Sequence, residues 1–113
     1  MRVTSALWVG AFIRRCFVEG AIAAVARHGA DEAGAILVIV DRLDKTADLY
    51  GPAPQSAFAE SRPSERLFHL MLVGSDRPTI DAHVASELRF DPDLWIVEVE
   101  DRDGRAFLDL ART

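Results

Sequence analysis

Six consecutive apolar residues, AILVIV at positions 35–40, constrain the fold more than any other stretch of this chain. The run is short and rich in β-branched side chains, which is typical of a strand covered by other elements on at least one face. Such a strand needs neighbouring strands to satisfy its backbone hydrogen bonds. The stretch therefore predicts a central strand, and a fold built around a sheet.

Further strands are predicted before and after this one. AIAAVARHG, which ends at Gly29, indicates a short strand, although its alanines are weak strand formers and leave continuation of a helix open. DRLDKTADLYGPAP predicts a hairpin turn around Asp44 and Lys45 and a strand through Tyr50 that glycine and proline end. RLFHLMLV alternates in a way that predicts another strand of the same meander.

The stretch RFDPDLWIVEVEDRDG adds two more strand predictions. Residues alternate in WIVEVE, which places Trp95, Val97 and Val99 on one face of a strand and both glutamates on the other. The Asp103-Gly104 pair that follows is typical of a tight hairpin turn. It predicts a short last strand near residues 106–110.

A helix is predicted over about residues 5–19, with Thr4 or Ser5 as its cap and Gly20 at its end. Its apolar positions follow the helical repeat and form one stripe, made of Val9, Phe12, Ile13, Cys16 and Phe17. Because Cys16 lies within this stripe, we expect a buried thiol that packs as a small apolar group.

A second helix is predicted between the fourth and fifth strands. Ser75 or Asp76 can cap it, Pro78 suits its first turn, and Asp91-Pro92 ends it. Its buried edge is formed by Ile80, Val84 and Leu88.

These elements predict an α+β fold. We expect an antiparallel β-sheet of about five strands, mostly in meander order, with the two main helices packed on one face. A length of 113 residues fits a single domain spanning positions 1–113. Half of the residues are apolar, which is too many for a disordered chain of this charge.

Charge and cysteine content argue against several classes of function. A formal net charge of −5 disfavours general binding to nucleic acid or to anionic membrane, since both require a basic surface. Binding of nucleic acid stays an alternative only if five arginines converge on one face, namely Arg14, Arg15, Arg27, Arg62 and Arg66. Cys16 is the only cysteine, so the chain can form neither an intrachain disulfide nor a zinc site of several cysteines, which fits the reducing cytoplasm. No apolar stretch reaches the roughly 20 residues of a membrane helix.

Carboxylates in the stretch quoted above are the main candidates for chemistry. Glu98 and Glu100 share one strand face about 7 Å apart by strand geometry, a spacing that suits paired acid and base groups or one divalent cation, with Asp91 as a further ligand. The alternative interpretation is a solvent-facing strand edge whose charges prevent aggregation, and we favour it. No sequence pattern of a catalytic residue, metal site or cofactor site is found.

Two pairs of arginines are candidates for binding an anion or an acidic partner. Arg14 and Arg15 end the first helix, where cations also complement the helix dipole. Arg62 and Arg66 flank PSE beside a proline-rich loop over residues 51–64.

Four motifs together resemble the short bacterial proteins of domain-of-unknown-function family 1491. They are IRR in the first helix, AGAILV, LYGPAP and RFDPDLWIVEVEDRDG, and the likeness spans nearly the whole chain. The resemblance implies a soluble bacterial protein from a family without an assigned activity, so it transfers no catalytic residue.

We therefore predict a cytoplasmic interaction or accessory module without catalytic activity. It would bind a protein partner, or a second copy of itself, through an exposed sheet edge or the proline-rich loop. The alternative is an enzyme or ligand-binding domain that uses Glu98 and Glu100 with a divalent cation.

Overall fold

The structure is a computed structural model that describes residues 3–54 and 66–111. Its elements in chain order are α1 (Ser5–Val18), β1 (Ile22–Arg27), β2 (Ile36–Asp41), β3 (Ala47–Pro52), β4 (Phe68–Ser75), α2 (Arg77–Phe90) and β5 (Trp95–Glu100). Both predicted helices and the first five predicted strands are confirmed, with shifts of a few residues at their ends.

The five strands form one mixed sheet in the order β1-β5-β2-β3-β4. β5 is antiparallel to β1 but parallel to β2, and the other neighbouring pairs are antiparallel. The predicted antiparallel, mostly meander sheet is therefore wrong in one respect. β5 does not extend the meander. It inserts between β1 and β2, which are consecutive in the chain.

The β1-to-β2 connection has to cross the start of β5 because of this insertion. Ala30 marks the crossing, since its N–H donates to the carbonyl of Asp93 at 3.0 Å and its own carbonyl accepts from the Trp95 indole N–H at 2.8 Å. Gly29 and Gly34 flank it, and a Cβ atom at either position would collide with the Asp93 backbone. The connection can pass only because both residues lack a side chain.

The two helices lie on opposite faces of the sheet, so the prediction that both pack on one face is wrong. α1 packs on Val38, Val40 and their neighbours, whereas α2 packs through Ile80 on Leu37 and Ile39. Successive residues of β2 point to opposite faces. The five consecutive apolar residues of β2 therefore require cover on both faces of the sheet, which the two helices provide.

Helix boundaries follow the predicted capping residues. Thr4 caps α1, where its hydroxyl oxygen accepts from the N–H of Leu7 at 3.2 Å. Asp76 caps α2, where its carboxylate accepts from the N–H of Thr79 at 2.9 Å. Hydrogen bonds from the Thr79 side chain and from this N–H lower the pKa of Asp76. Asp91 follows the last helical residue of α2, as predicted.

The predicted last strand near residues 106–110 is wrong. After the turn closed by the hydrogen bond from Gly104 N–H to the Asp101 carbonyl, the chain leaves β5 and crosses the α1 face of the sheet. Phe107 has φ of 57°, which no strand residue adopts. Leu110 then forms an isolated parallel bridge with Phe68, so this segment covers the start of the outer edge of β4.

Cys16 lies on the buried face of α1, as predicted, and burial raises the pKa of its thiol to about 11. At about pH 8 the thiol is therefore protonated as well as shielded, so we expect no reaction with Ellman's reagent in the native protein. In concentrated guanidinium chloride, which unfolds the protein, one thiol per chain should react in the same assay. Stoichiometric reaction under native conditions would contradict the burial of Cys16.

Candidate functional site

On the α2 face of the sheet, Glu98 belongs to an ion-pair cluster whose centre is Arg77. Both of its carboxylate oxygens accept from the guanidinium of Arg77, at 2.5 and 3.1 Å. Arg77 stands in the first turn of α2 and also donates to Asp81 at 3.0 Å, with Asp41 4.0 Å away. The hydrogen bond with Glu98 is the main reason why the pKa of Arg77 is raised.

This geometry changes the interpretation of the predicted acid pair. β5 is an interior strand, so the interpretation of Glu98 as part of a solvent-facing strand edge is wrong. A bidentate guanidinium pair uses one lone pair on each carboxylate oxygen and places a positive charge beside them, which disfavours a bound cation. Glu98 therefore joins α2 to the sheet, and Arg77 opposes its use as a metal ligand or a base.

The other two predicted acids do not complete a site around Glu98. Glu100 is exposed at the end of β5, beside Ile22 of β1 and Asp41 of β2. Asp91 lies before the start of β5, where its carboxylate accepts from the N–H of Asp93 at 3.0 Å. The strand thus separates Asp91 from Glu100. Among residues 3–54 and 66–111 no group of three or more potential ligands is placed to hold a metal ion.

The predicted arginines are not brought together either. Arg14 and Arg15 are exposed near the end of α1, whereas Arg66 donates to the carbonyl of Val3, just before α1 begins, at 3.1 Å. From residue 3 to residue 14 a helix rises about 16 Å, so these groups cannot share one small anion. Arg62 lies outside the described residues.

Two further ion pairs were missed by the sequence analysis. Asp48 is almost fully buried and accepts from Arg42 at 2.7 and 3.1 Å and from the N–H of Gly74 at 2.8 Å. Asp101 accepts from Arg105 at 2.7 and 3.1 Å, which lowers the pKa of Asp101. Isolated aspartates near turns give no sequence signal for such pairs, because turn chemistry explains them equally well.

A shallow depression of about 280 Å³ opens at the amino end of β1. Its lining consists of Gly20, Ile22, Leu43, Glu100, Asp101, Arg102 and Asp103. Two exposed apolar side chains, Ile22 and Leu43, therefore stand beside a largely acidic rim.

The two edges of the sheet differ. β4 is partly closed at its start, because the N–H of Phe68 donates to the Asp109 carbonyl and its carbonyl accepts from the N–H of Ala111, both at 2.9 Å. β1 pairs only with β5 within the part of the chain that the structure describes. Its outer backbone groups have no strand partner there.

The side chains of β1 do not block its edge. From residue 22 to residue 26 the strand carries only isoleucine, alanine and valine, and Ile22 and Val25 are 57% and 40% exposed. Edge strands are usually protected by lysine, proline or a covering segment. β1 has a bulge near Ala26 and an arginine only at its last position, Arg27, whose guanidinium is turned to the carbonyl of Leu94 at 2.7 Å.

Comparisons with known proteins agree on one family. A family model described as "Protein of unknown function (DUF1491)" matches residues 3–109, which confirms the resemblance seen in the sequence. The chain is similar to a DUF1491 family protein from Caulobacter crescentus CB15, with 40% identity over all of both chains and a TM-score of 0.79 in its crystal structure. The search of curated proteins finds no significant match.

A second solved relative comes from A. tumefaciens. Its solution structure is 47% identical over 88% of this chain and 86% of its own, with a TM-score of 0.78. In the described part of this chain, neither helix is both long and apolar enough to cross a membrane.

Proposed function

This chain belongs to the DUF1491 family of unknown function, and we propose that it is a non-catalytic interaction module that binds a partner protein along the open edge of β1. The observation that carries the proposal is the contrast between the two sheet edges. The C-terminal segment covers the start of β4, whereas from residue 22 to residue 26 β1 presents only apolar residues, and its outer backbone groups have no strand partner among the described residues.

Strand addition is the binding mode that this edge favours. An extended segment of a partner can pair with β1 through main-chain hydrogen bonds and continue the five-stranded sheet. The main-chain hydrogen bonds then provide affinity, and the side chains of the partner segment determine specificity. The small residues Ala24 and Ala26 let a neighbouring strand approach without a steric obstacle.

Enzymatic activity has less support from the described residues. Glu98 is held by Arg77, and Asp91 lies at the other end of β5 from Glu100. The divalent-cation alternative stays a prediction, and residues 3–54 and 66–111 offer no cluster of metal ligands that supports it.

Site-specific photo-crosslinking tests the binding edge. A benzoylphenylalanine residue at Ala24 should give one discrete adduct in cells of the source bacterium, which mass spectrometry identifies. The adduct should disappear when Ala26→Lys is added, since a lysine at an edge blocks strand pairing. In the purified complex, hydrogen exchange of the β1 amides should slow.

The matched controls use Ala85, which is exposed on α2. In one control the probe is placed at Ala85 instead of Ala24, and it should give no adduct. In the other, Ala85→Lys replaces Ala26→Lys, and the adduct formed through Ala24 should be unchanged. An adduct at Ala85 alone, or β1 amides whose exchange does not change in the complex, would contradict binding at the β1 edge.

A further inference from the structure

The depression at the amino end of β1 lies where an added strand would end. Ile22 is the first residue of β1 and lines the depression, with 57% of its surface exposed. A strand that pairs with β1 lies about 4.8 Å from it, so a side chain of its residue beside Ile22 can contact Ile22 at the rim of the depression. The open edge and the depression therefore share Ile22 and lie next to each other.

Leu43 is held outward over this depression by polar contacts. Its φ of 63° is in the left-handed region, which a leucine rarely adopts. The carboxylate of Asp41 accepts from the N–H of Leu43 at 2.8 Å, and Asp44 accepts from the N–H of Thr46 at 2.9 Å. This turn keeps an apolar side chain 51% exposed in a fixed position.

The charge around the depression is negative. Asp101 is paired with Arg105, so its charge is offset. Among the lining residues, Glu100 and Asp103 remain against one cation, Arg102, whereas Asp41 beside Glu100 faces Arg77 at 4.0 Å. The net charge of the chain, −5, adds to this local field.

We propose that the depression binds a large apolar side chain that is flanked by lysine or arginine, at one end of the partner segment that pairs with β1. The proposal rests on the proposed function and names the chemistry of the partner. Ile22 and Leu43 contact the apolar side chain, and Glu100 and Asp103 attract the adjacent cation.

Selection from a library of random linear peptides displayed on phage tests this. The full chain should enrich peptides in which a lysine or arginine lies within two positions of a leucine, isoleucine or phenylalanine. For an enriched peptide measured by fluorescence anisotropy, the double variant Glu100→Gln/Asp103→Asn should weaken binding about fivefold. The control Asp93→Asn removes an exposed acid at the other end of β5 and should leave binding unchanged.

The variant Ala24→Lys separates this inference from the proposed function. Enriched peptides could lose affinity for Ala24→Lys and yet contain no basic residue and bind the Glu100→Gln/Asp103→Asn variant as tightly as wild type. This result would overturn the inference and leave binding at the β1 edge intact. Peptides that bind wild type and Ala24→Lys equally, or no enrichment at all, would overturn both. Sedimentation velocity shows whether the protein associates with itself. Self-association that excludes the peptides would assign the β1 edge to a second copy of the chain and would contradict the proposal of a basic partner segment.

Discussion

Replacement of Gly29 with alanine is expected to lower the free energy of unfolding by about 3 kcal/mol, because the new methyl group has no space. Its Cβ would overlap the carbonyl oxygen of Asp93 and lie 2.6 Å from both the Leu94 carbonyl carbon and the Trp95 ring. Two of these contacts are with backbone, which no rotamer change relieves. The connection would have to lift away from β5 and strain the hydrogen bonds of Ala30.

Chemical denaturation measures the change in the free energy of unfolding. In a thermal unfolding experiment, the melting temperature of Gly29→Ala should be lower by roughly 10–15 °C. Gly51→Ala is the matched control, since its Cβ would meet chiefly the sulfur of Met71 at 2.5 Å, near the end of a flexible side chain. We expect a loss of less than about 1 kcal/mol there. Equal losses in the two variants would show that the crossing over β5 is not a close approach.

The strand and helix segments were predictable because local patterns determine them. The apolar run at positions 35–40, the alternation in WIVEVE and the capping residue Asp76 each depend on neighbours within a few positions. The pairing of the strands was not predictable in the same way. An apolar strand face fits any covered position in a sheet, so nothing in WIVEVE states that β5 lies between β1 and β2.

The position of the glycines was the one available signal for this insertion. Gly29 and Gly34 bracket the β1-to-β2 connection, but a glycine in a loop is equally explained by a turn. The reason for both glycines, close contact with Asp93, appears only once β5 is in place.

The candidate sites show the same division. The sequence indicated that Glu98 and Glu100 share a face, and the structure agrees. It did not indicate Arg77 as the partner of Glu98, because the two residues are 21 positions apart and belong to different elements. The open edge of β1 depends on which strand is outermost, a property of the whole sheet that no local pattern contains.

Replacement of Asp48 with alanine is expected to cost about 3 kcal/mol of stability, since it removes the buried member of an ion pair. The side chain of Asp48 is 1% exposed, and its two oxygens serve different parts of the fold. One accepts twice from Arg42 in the β2–β3 turn, and the other accepts from the N–H of Gly74 in β4. Alanine would leave both donors without this acceptor and open a small cavity.

Urea denaturation followed by circular dichroism measures the loss, with Asp81→Ala as the control. Asp81 also pairs with an arginine, Arg77, but it is 61% exposed, so its removal should change stability by less than about 0.5 kcal/mol. The stability of Asp48→Asn should lie between those of Asp48→Ala and Asp81→Ala. The amide oxygen can still accept from the N–H of Gly74, but the charge that holds Arg42 is lost. If Asp48→Ala is no less stable than Asp81→Ala, burial of the Asp48–Arg42 pair does not join β3 to its neighbouring strands as the hydrogen bonds indicate.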